Sequence, residues 1–293
     1  MNFELFRKAA AETLNEISIV EVVLTAAGLV VLAAWLFKTS FGAKALVNPP
    51  VRRIDMPASF VLIPFLLWIL SSLILDMAKR AVFTDVTGPS ATLRAGWQNA
   101  FADNLIMCLS AVPPVATILF IAYLHYARRL KGLGLNLKTI GRDLPAACLN
   151  LVVVLPAVGA TANFTLLAAQ FFAGPQYEWP KHEELKLLME YPQQTLRILI
   201  VAATIVIGPI MEEFLFRGLV QTTIRSYLAR PWLAIIFASF VFLIFHPVIL
   251  HWPALFVLSL CLGYSYEKSG SLLRPIFIHS IFNALNVFTA IYQ

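Results

Sequence analysis

Between Leu196 and Tyr227, an apolar run long enough to cross a bilayer holds two adjacent carboxylates and a guanidinium, in the stretch Gly208-Pro-Ile-Met-Glu-Glu-Phe-Leu-Phe-Arg-Gly218. An ionised side chain at the bilayer centre costs about 3 kcal/mol on insertion scales, so such residues face a protein-lined cavity and mark candidate functional sites. On a helix Glu213 and Arg217 stand four residues apart and can pair on one face, while Glu212 is rotated from Glu213 by about 100°. One glutamate can be held by the arginine while the other points elsewhere. Pro209 has no N–H and crowds the carbonyl four residues back, which predicts a kink one turn before the pair. The plainer reading is an ion pair that only locks two helices.

The rest of the chain fits a membrane setting. Its 293 residues are 59% hydrophobic and 13% charged, with mean hydropathy +0.78, against about 45–50% apolar and 25% charged in soluble domains. A polytopic, all-α membrane protein follows, placed in the inner or plasma membrane if the source is bacterial. The net charge of +6 belongs to loops that flank spans and meet anionic lipid, and gives no argument for nucleic acid. Cys108, Cys148 and Cys261 lie in apolar stretches without CxxC spacing, which suits small buried hydrophobes and not metal ligands or disulfides. Met1–Glu16 mixes acidic and basic residues and Ile17–Phe37 is long enough to cross, so the first apolar segment reads as an anchor.

Eight spans are expected, at Ile17–Phe37, Ala58–Leu75, Asn104–Ala127, within Pro145–Phe172, Leu196–Tyr227, Trp232–Phe245, Pro253–Tyr266 and Leu272–Tyr292. The fourth exceeds the roughly 20 residues a bilayer requires, which predicts tilt or a break near Pro156. Asp76–Asp103 reads as a polar connection with a turn at Gly88-Pro89, and Arg128–Arg142 as a basic connector. Lys and Arg are in excess in the loops after spans one, three, five and seven, which places those loops in the cytoplasm. His125 and His251 fall at span ends and read as interfacial. His182-Glu183-Glu184, beside Lys181 and Lys186, reads as a solvated helix start.

Two further polar groups stand in the last spans. Phe242-Leu-Ile-Phe-His246 puts an imidazole one turn beyond a phenylalanine on the same face, and His279-Ser-Ile-Phe-Asn283 projects an imidazole and an amide together. Alone, a membrane histidine is a packing residue or a relay, and an interhelical His or Asn bond adds only about 0.6 kcal/mol. Together with Glu212, they are the parts needed to activate water and stabilise an oxyanion in a four-helix bundle. The depths are awkward. His279 lies about 10 Å in from Leu272 and His246 about 21 Å from Trp232 at about 1.5 Å per residue, so a straight, untilted sixth helix would keep them apart.

With Glu212-Glu213-x-x-x-Arg217, Phe242-x-x-x-His246 and His279-x-x-x-Asn283 in that order, the chain resembles the CPBP (CAAX protease and bacteriocin-processing) intramembrane proteases, which include the type II CAAX prenyl endopeptidases. The resemblance covers residues 192–293 and makes them the expected catalytic core, with residues 1–191 a region of helices and loops carrying no recognised motif. It implies hydrolysis of a peptide bond, near the C-terminus of a peptide or membrane-anchored, CAAX-like substrate. Glu212 and His246 would activate water, His279 and Asn283 would form the oxyanion hole, Glu213 and Arg217 would orient, and Phe242 would pack beneath His246. No cofactor is expected. The alternative is zinc on Glu212, His246 and His279, a donor set with precedent but without a His-Glu-x-x-His helix. A non-catalytic scaffold or bacteriocin-immunity protein, or a transporter using the carboxylates as a proton relay, is the reading from another class. A transporter would show an internal repeat, and none is evident.

Overall fold

The computed structural model describes residues 19–47, 49, 54–83, 91–174, 176–177, 183–228 and 230–292. Among them there is no strand; one isolated bridge joins Ile54 to Tyr126. The helices are α1 (Ile19–Lys38), α2 (Leu62–Phe83), α3 (Ala91–Ser110), α4 (Val112–His125), α5 (Ile140–Ala173), α6 (Glu183–Glu190), α7 (Gln194–Ala202), α8 (Gly208–Glu213), α9 (Thr222–Leu228), α10 (Pro231–Ile244), α11 (Trp252–Ser269) and α12 (Leu273–Tyr292). Among the described residues five segments are long and apolar enough to cross a membrane: Ala58–Ala81, Gly96–His125, Leu137–Ala173, Gln194–Leu228 and Ile249–Ser269; Thr25–Lys38 and Pro231–Ile244 are shorter apolar helices. The chain is an integral, multi-pass, all-helical membrane protein.

Several boundaries differ from expectation. The polar stretch after Leu75 is not a loop at its ends: α2 continues to Phe83 and α3 begins at Ala91, while Gly88-Pro89 lies outside the described residues, as do Met1–Glu16 and His182. The expected third span is two helices, parted at Ala111 and restarted by Pro113 and Pro114, as proline at a helix start favours. By contrast α5 runs unbroken through Pro145 and Pro156 for 34 residues, about 51 Å at about 1.5 Å per residue, longer than a roughly 30 Å hydrocarbon core. Pro156 withdraws the N–H that would bond Val152 O. Gly28 of α1 occupies that notch, where a Cβ would lie 2.6 Å from both Val152 O and Pro156 Cγ. The three cysteines are free thiols, and Cys148 is exposed and not buried.

The C-terminal elements sit at the centre. Helix α5 packs on α1, α11 and α12, α10 packs on α11, and α2 packs on α3 and α4. The two halves of the chain are stitched together mostly by side chains reaching backbone carbonyls. Trp232 Nε1 donates to Gly42 O at 3.1 Å, Lys268 Nζ to Ala45 O at 2.7 Å and Tyr227 OH to Met56 O at 3.1 Å. Buried Asp143 of α5 accepts from Arg274 Nη2 of α12 at 2.8 Å and from Nε at 3.2 Å. Beside that pair Leu272 N–H bonds Gly134 O at 3.0 Å. Gly134 has φ +89°, and a Cβ there would come within 2.6 Å of Gly270 O, so this seam needs glycine.

Candidate active site

The segment from Gln194 to Leu228 is not one regular helix. A π turn over Ala203–Ile207 precedes α8, and a second spans Phe214–Gln221; such widened turns recur at functional sites. Pro209 accounts for the first. Gly208 N–H reaches back five residues to Ala203 O, and residue 209, the next donor in that register, has no N–H to offer Thr204 O. Asn283 Nδ2 from α12 takes up that carbonyl at 2.9 Å. The expected kink is therefore a local widening, closed from a neighbouring helix.

Helix α8 is a six-residue platform that ends on the two glutamates. Glu213 is fully buried; its Oε1 accepts from Arg217 Nη1 at 2.8 Å and bonds His279 Nδ1 at 2.8 Å. Arg217 is 1% exposed, and its Nη2 donates to Ser259 Oγ at 2.7 Å and Ser259 O at 3.3 Å, while its Cζ lies 4.8 Å from the centre of the Phe242 ring. A buried pair of this kind contributes little net stability by itself, yet removal of one partner strands a charge at a cost of about 3–5 kcal/mol. Glu212 points away from this network and is 24% exposed; its Oε2 faces His279 Nε2 at 3.7 Å, too far for a hydrogen bond. Glu212 Oε2 and Glu213 Oε2 are buried with no hydrogen-bond partner among the described residues.

Helix α10 ends at Ile244, so His246 lies on the turn beyond it. Its Nδ1 bonds Phe242 O at 2.8 Å, and Trp252 Nε1 donates to His246 O at 2.8 Å. The Phe242 ring centroid stands 4.3 Å from that of His246 and 6.1 Å from that of His279. One aromatic ring thus spans the two imidazoles, so the depths expected to keep them apart do not, although α10 has the expected length.

Residues 193–285 match the family model described as type II CAAX prenyl endopeptidase Rce1-like. This segment is similar to an Rce1-like domain. No curated protein and no solved structure matches the chain. The Rce1-like family is one of membrane-embedded proteases, and the match contains every charged and polar residue of the site.

Within the matched segment, Glu212, Glu213, Arg217, His279 and Phe242 come together as one cluster, and His246 joins it through Phe242. Asn283 does not stand free beside His279: its amide bonds the first π turn. Among the described residues no three His, Cys, Asp or Glu side chains converge to hold a metal ion, so Glu212, His246 and His279 are not a preassembled ligand set. His125 is half-buried and bonds Asp55 O at 2.7 Å, and His251 is buried near the start of the segment Ile249–Ser269. Helix α6 does begin at Glu183. Sequence reading missed Ser259, the second anchor of Arg217, because a single serine in a span carries no periodic signal, and the Thr204 carbonyl that anchors Asn283, a backbone group that no side chain announces.

Proposed function

We propose that the chain is a membrane-embedded endopeptidase that hydrolyses a peptide bond, near the C-terminus of a membrane-associated or CAAX-like substrate, with Glu212 as base. The observation that carries this is the gap between Glu212 Oε2 and His279 Nε2, 3.7 Å wide, with the carboxylate oxygen buried and unpaired. One water beside both atoms at about 2.8 Å satisfies them. Glu212 takes a proton from that water as its oxygen attacks the substrate carbonyl carbon, and the C=O π electrons move onto oxygen. The proton then passes to the amide nitrogen as the oxyanion re-forms C=O and the C–N bond breaks, giving a carboxylic acid and an amine. A positioned base of this kind contributes about 10²–10⁴-fold.

The hydrogen bonds divide the remaining work. A carbonyl only accepts, so the proton of a neutral His246 sits on Nδ1, toward Phe242 O, leaving Nε2 to accept from water. His279 donates its Nδ1–H to Glu213; only as an imidazolium does its Nε2 also donate to an oxyanion. Asn283 has one amide proton on Thr204 O and a second left for the oxyanion. We assign the chemistry to these side chains without a metal.

The test is cleavage of a fluorogenic CAAX-like peptide panel by detergent-purified protein, wild type beside Glu212→Gln, with and without a strong chelator. Turnover that survives chelation and disappears in the variant supports glutamate-activated water. Loss under chelation with rescue by zinc transfers the histidines to metal binding. Equal activity in both proteins ends the assignment.

A further inference from the structure

Two carbonyls of the second π turn accept side-chain hydroxyls, and one of those hydroxyls comes from a residue outside the matched segment. In a regular α-helix Thr222 N–H would bond Gly218 O; here it bonds Leu219 O. Arg217 O is taken by Thr222 Oγ1 at 2.9 Å, and Gly218 O by the hydroxyl of Tyr126 at 2.6 Å. Tyr126 is 4% exposed and caps the C-terminal end of α4, 92 residues away in sequence. The same connector returns at Leu133, whose O accepts from Tyr266 OH at 2.9 Å; Tyr266 OH lies 3.3 Å from Thr222 Oγ1. Gly218 permits this approach, since a Cβ there would stand 3.0 Å from Leu133 Cδ1.

We propose that Tyr126 is a positioning residue for the site: its hydroxyl holds the second π turn in the register that aims Arg217 at Glu213 and, through Glu213, fixes the His279 ring. A π turn carries an extra residue per turn, and its migration by one position rotates the side chains it passes by about 100°. Arg217 immediately precedes the clamped carbonyl, so such a rotation removes it from both Glu213 and Ser259. The Glu213 carboxylate then loses its cation, and His279 loses the fixed acceptor that sets its orientation. Tyr126 touches none of the reacting atoms. This proposal rests on the proteolytic reading above.

Tyr126→Phe in the full-length protein keeps the ring and removes only the hydroxyl. Hydrogen–deuterium exchange should accelerate in peptides covering residues 214–222 and not elsewhere. With a cleaved peptide from the panel, kcat should fall about tenfold at unchanged KM, the worth of one well-placed hydrogen bond. Ser259→Ala loosens Arg217 from its other side, so the double variant should be little worse than the more damaged single variant. Unchanged exchange, unchanged kcat, multiplicative losses in the double variant, or a global rise in exchange with a lowered unfolding midpoint would each overturn the proposal. A wild-type protein without peptidase activity would sink the proteolytic reading instead, and the exchange arm would still decide whether Tyr126 holds the turn.

Discussion

Glu212 and Glu213 are neighbours in sequence with opposite surroundings. Glu213 is enclosed by Arg217 and His279, whereas Glu212 is 24% exposed and its Oε2 has only the His279 ring across 3.7 Å. Glu212→Gln is therefore expected to lower turnover by about 10²–10⁴-fold with an unfolding midpoint close to wild type. Arg217→Ala is expected to act on stability first, at a cost of about 3–5 kcal/mol, seen as a large fall in the thermal midpoint in detergent. If Arg217→Ala melts with the wild type, the pair is not the buried lock described here. This division was legible in part from the sequence, because four-residue spacing pairs Glu213 with Arg217 and turns Glu212 away. Ser259 was not legible, since its contact with Arg217 joins residues 42 apart and depends on how α11 docks.

At the scale of elements, proline chemistry explains most of what departs from a plain helical bundle. Pro209 signalled a disturbance before the glutamates, but not that Asn283 would close it through Thr204 O. Asn283→Leu should leave that carbonyl unpaired at a cost of about 1–3 kcal/mol. Pro209→Ala restores an N–H in the five-residue register, so in the Asn283→Leu background it should recover part of the lost stability. Denaturation of the two single variants and the double variant reads this directly, and a purely additive result would contradict the account of the first π turn. The unbroken course of α5 through Pro156 has the same kind of origin. Of the tilt or break expected there the break does not occur, and Gly28 lets α1 sit against the carbonyl that proline leaves open, a contact that no local pattern announces.

Across the whole molecule, the half without motifs braces the half with them. Gly134→Ala should test this seam: a Cβ would meet Gly270 O at 2.6 Å and Leu272 N at 2.8 Å, at a residue with φ +89°. Backbone strain of this kind costs about 1–3 kcal/mol, and the variant should show a lower thermal midpoint with faster proteolysis at the connector. An unchanged midpoint would mean that the halves are joined elsewhere. Hydropathy made the membrane class and the location of the site plain, because charge inside apolar runs is costly wherever it occurs. It did not resolve how many of the expected eight spans cross, since five segments meet that length and hydropathy. Helix α10 has 14 residues, about 21 Å at about 1.5 Å per residue, beside a hydrocarbon core of about 30 Å. If such a helix spans, the bilayer thins or its flanking residues snorkel, and a thinned leaflet shortens the path of water and of a surface-tethered peptide to His246. On the proteolytic reading proposed above, proteoliposomes of short-chain phospholipid should support faster cleavage than those of long-chain phospholipid at equal fluidity.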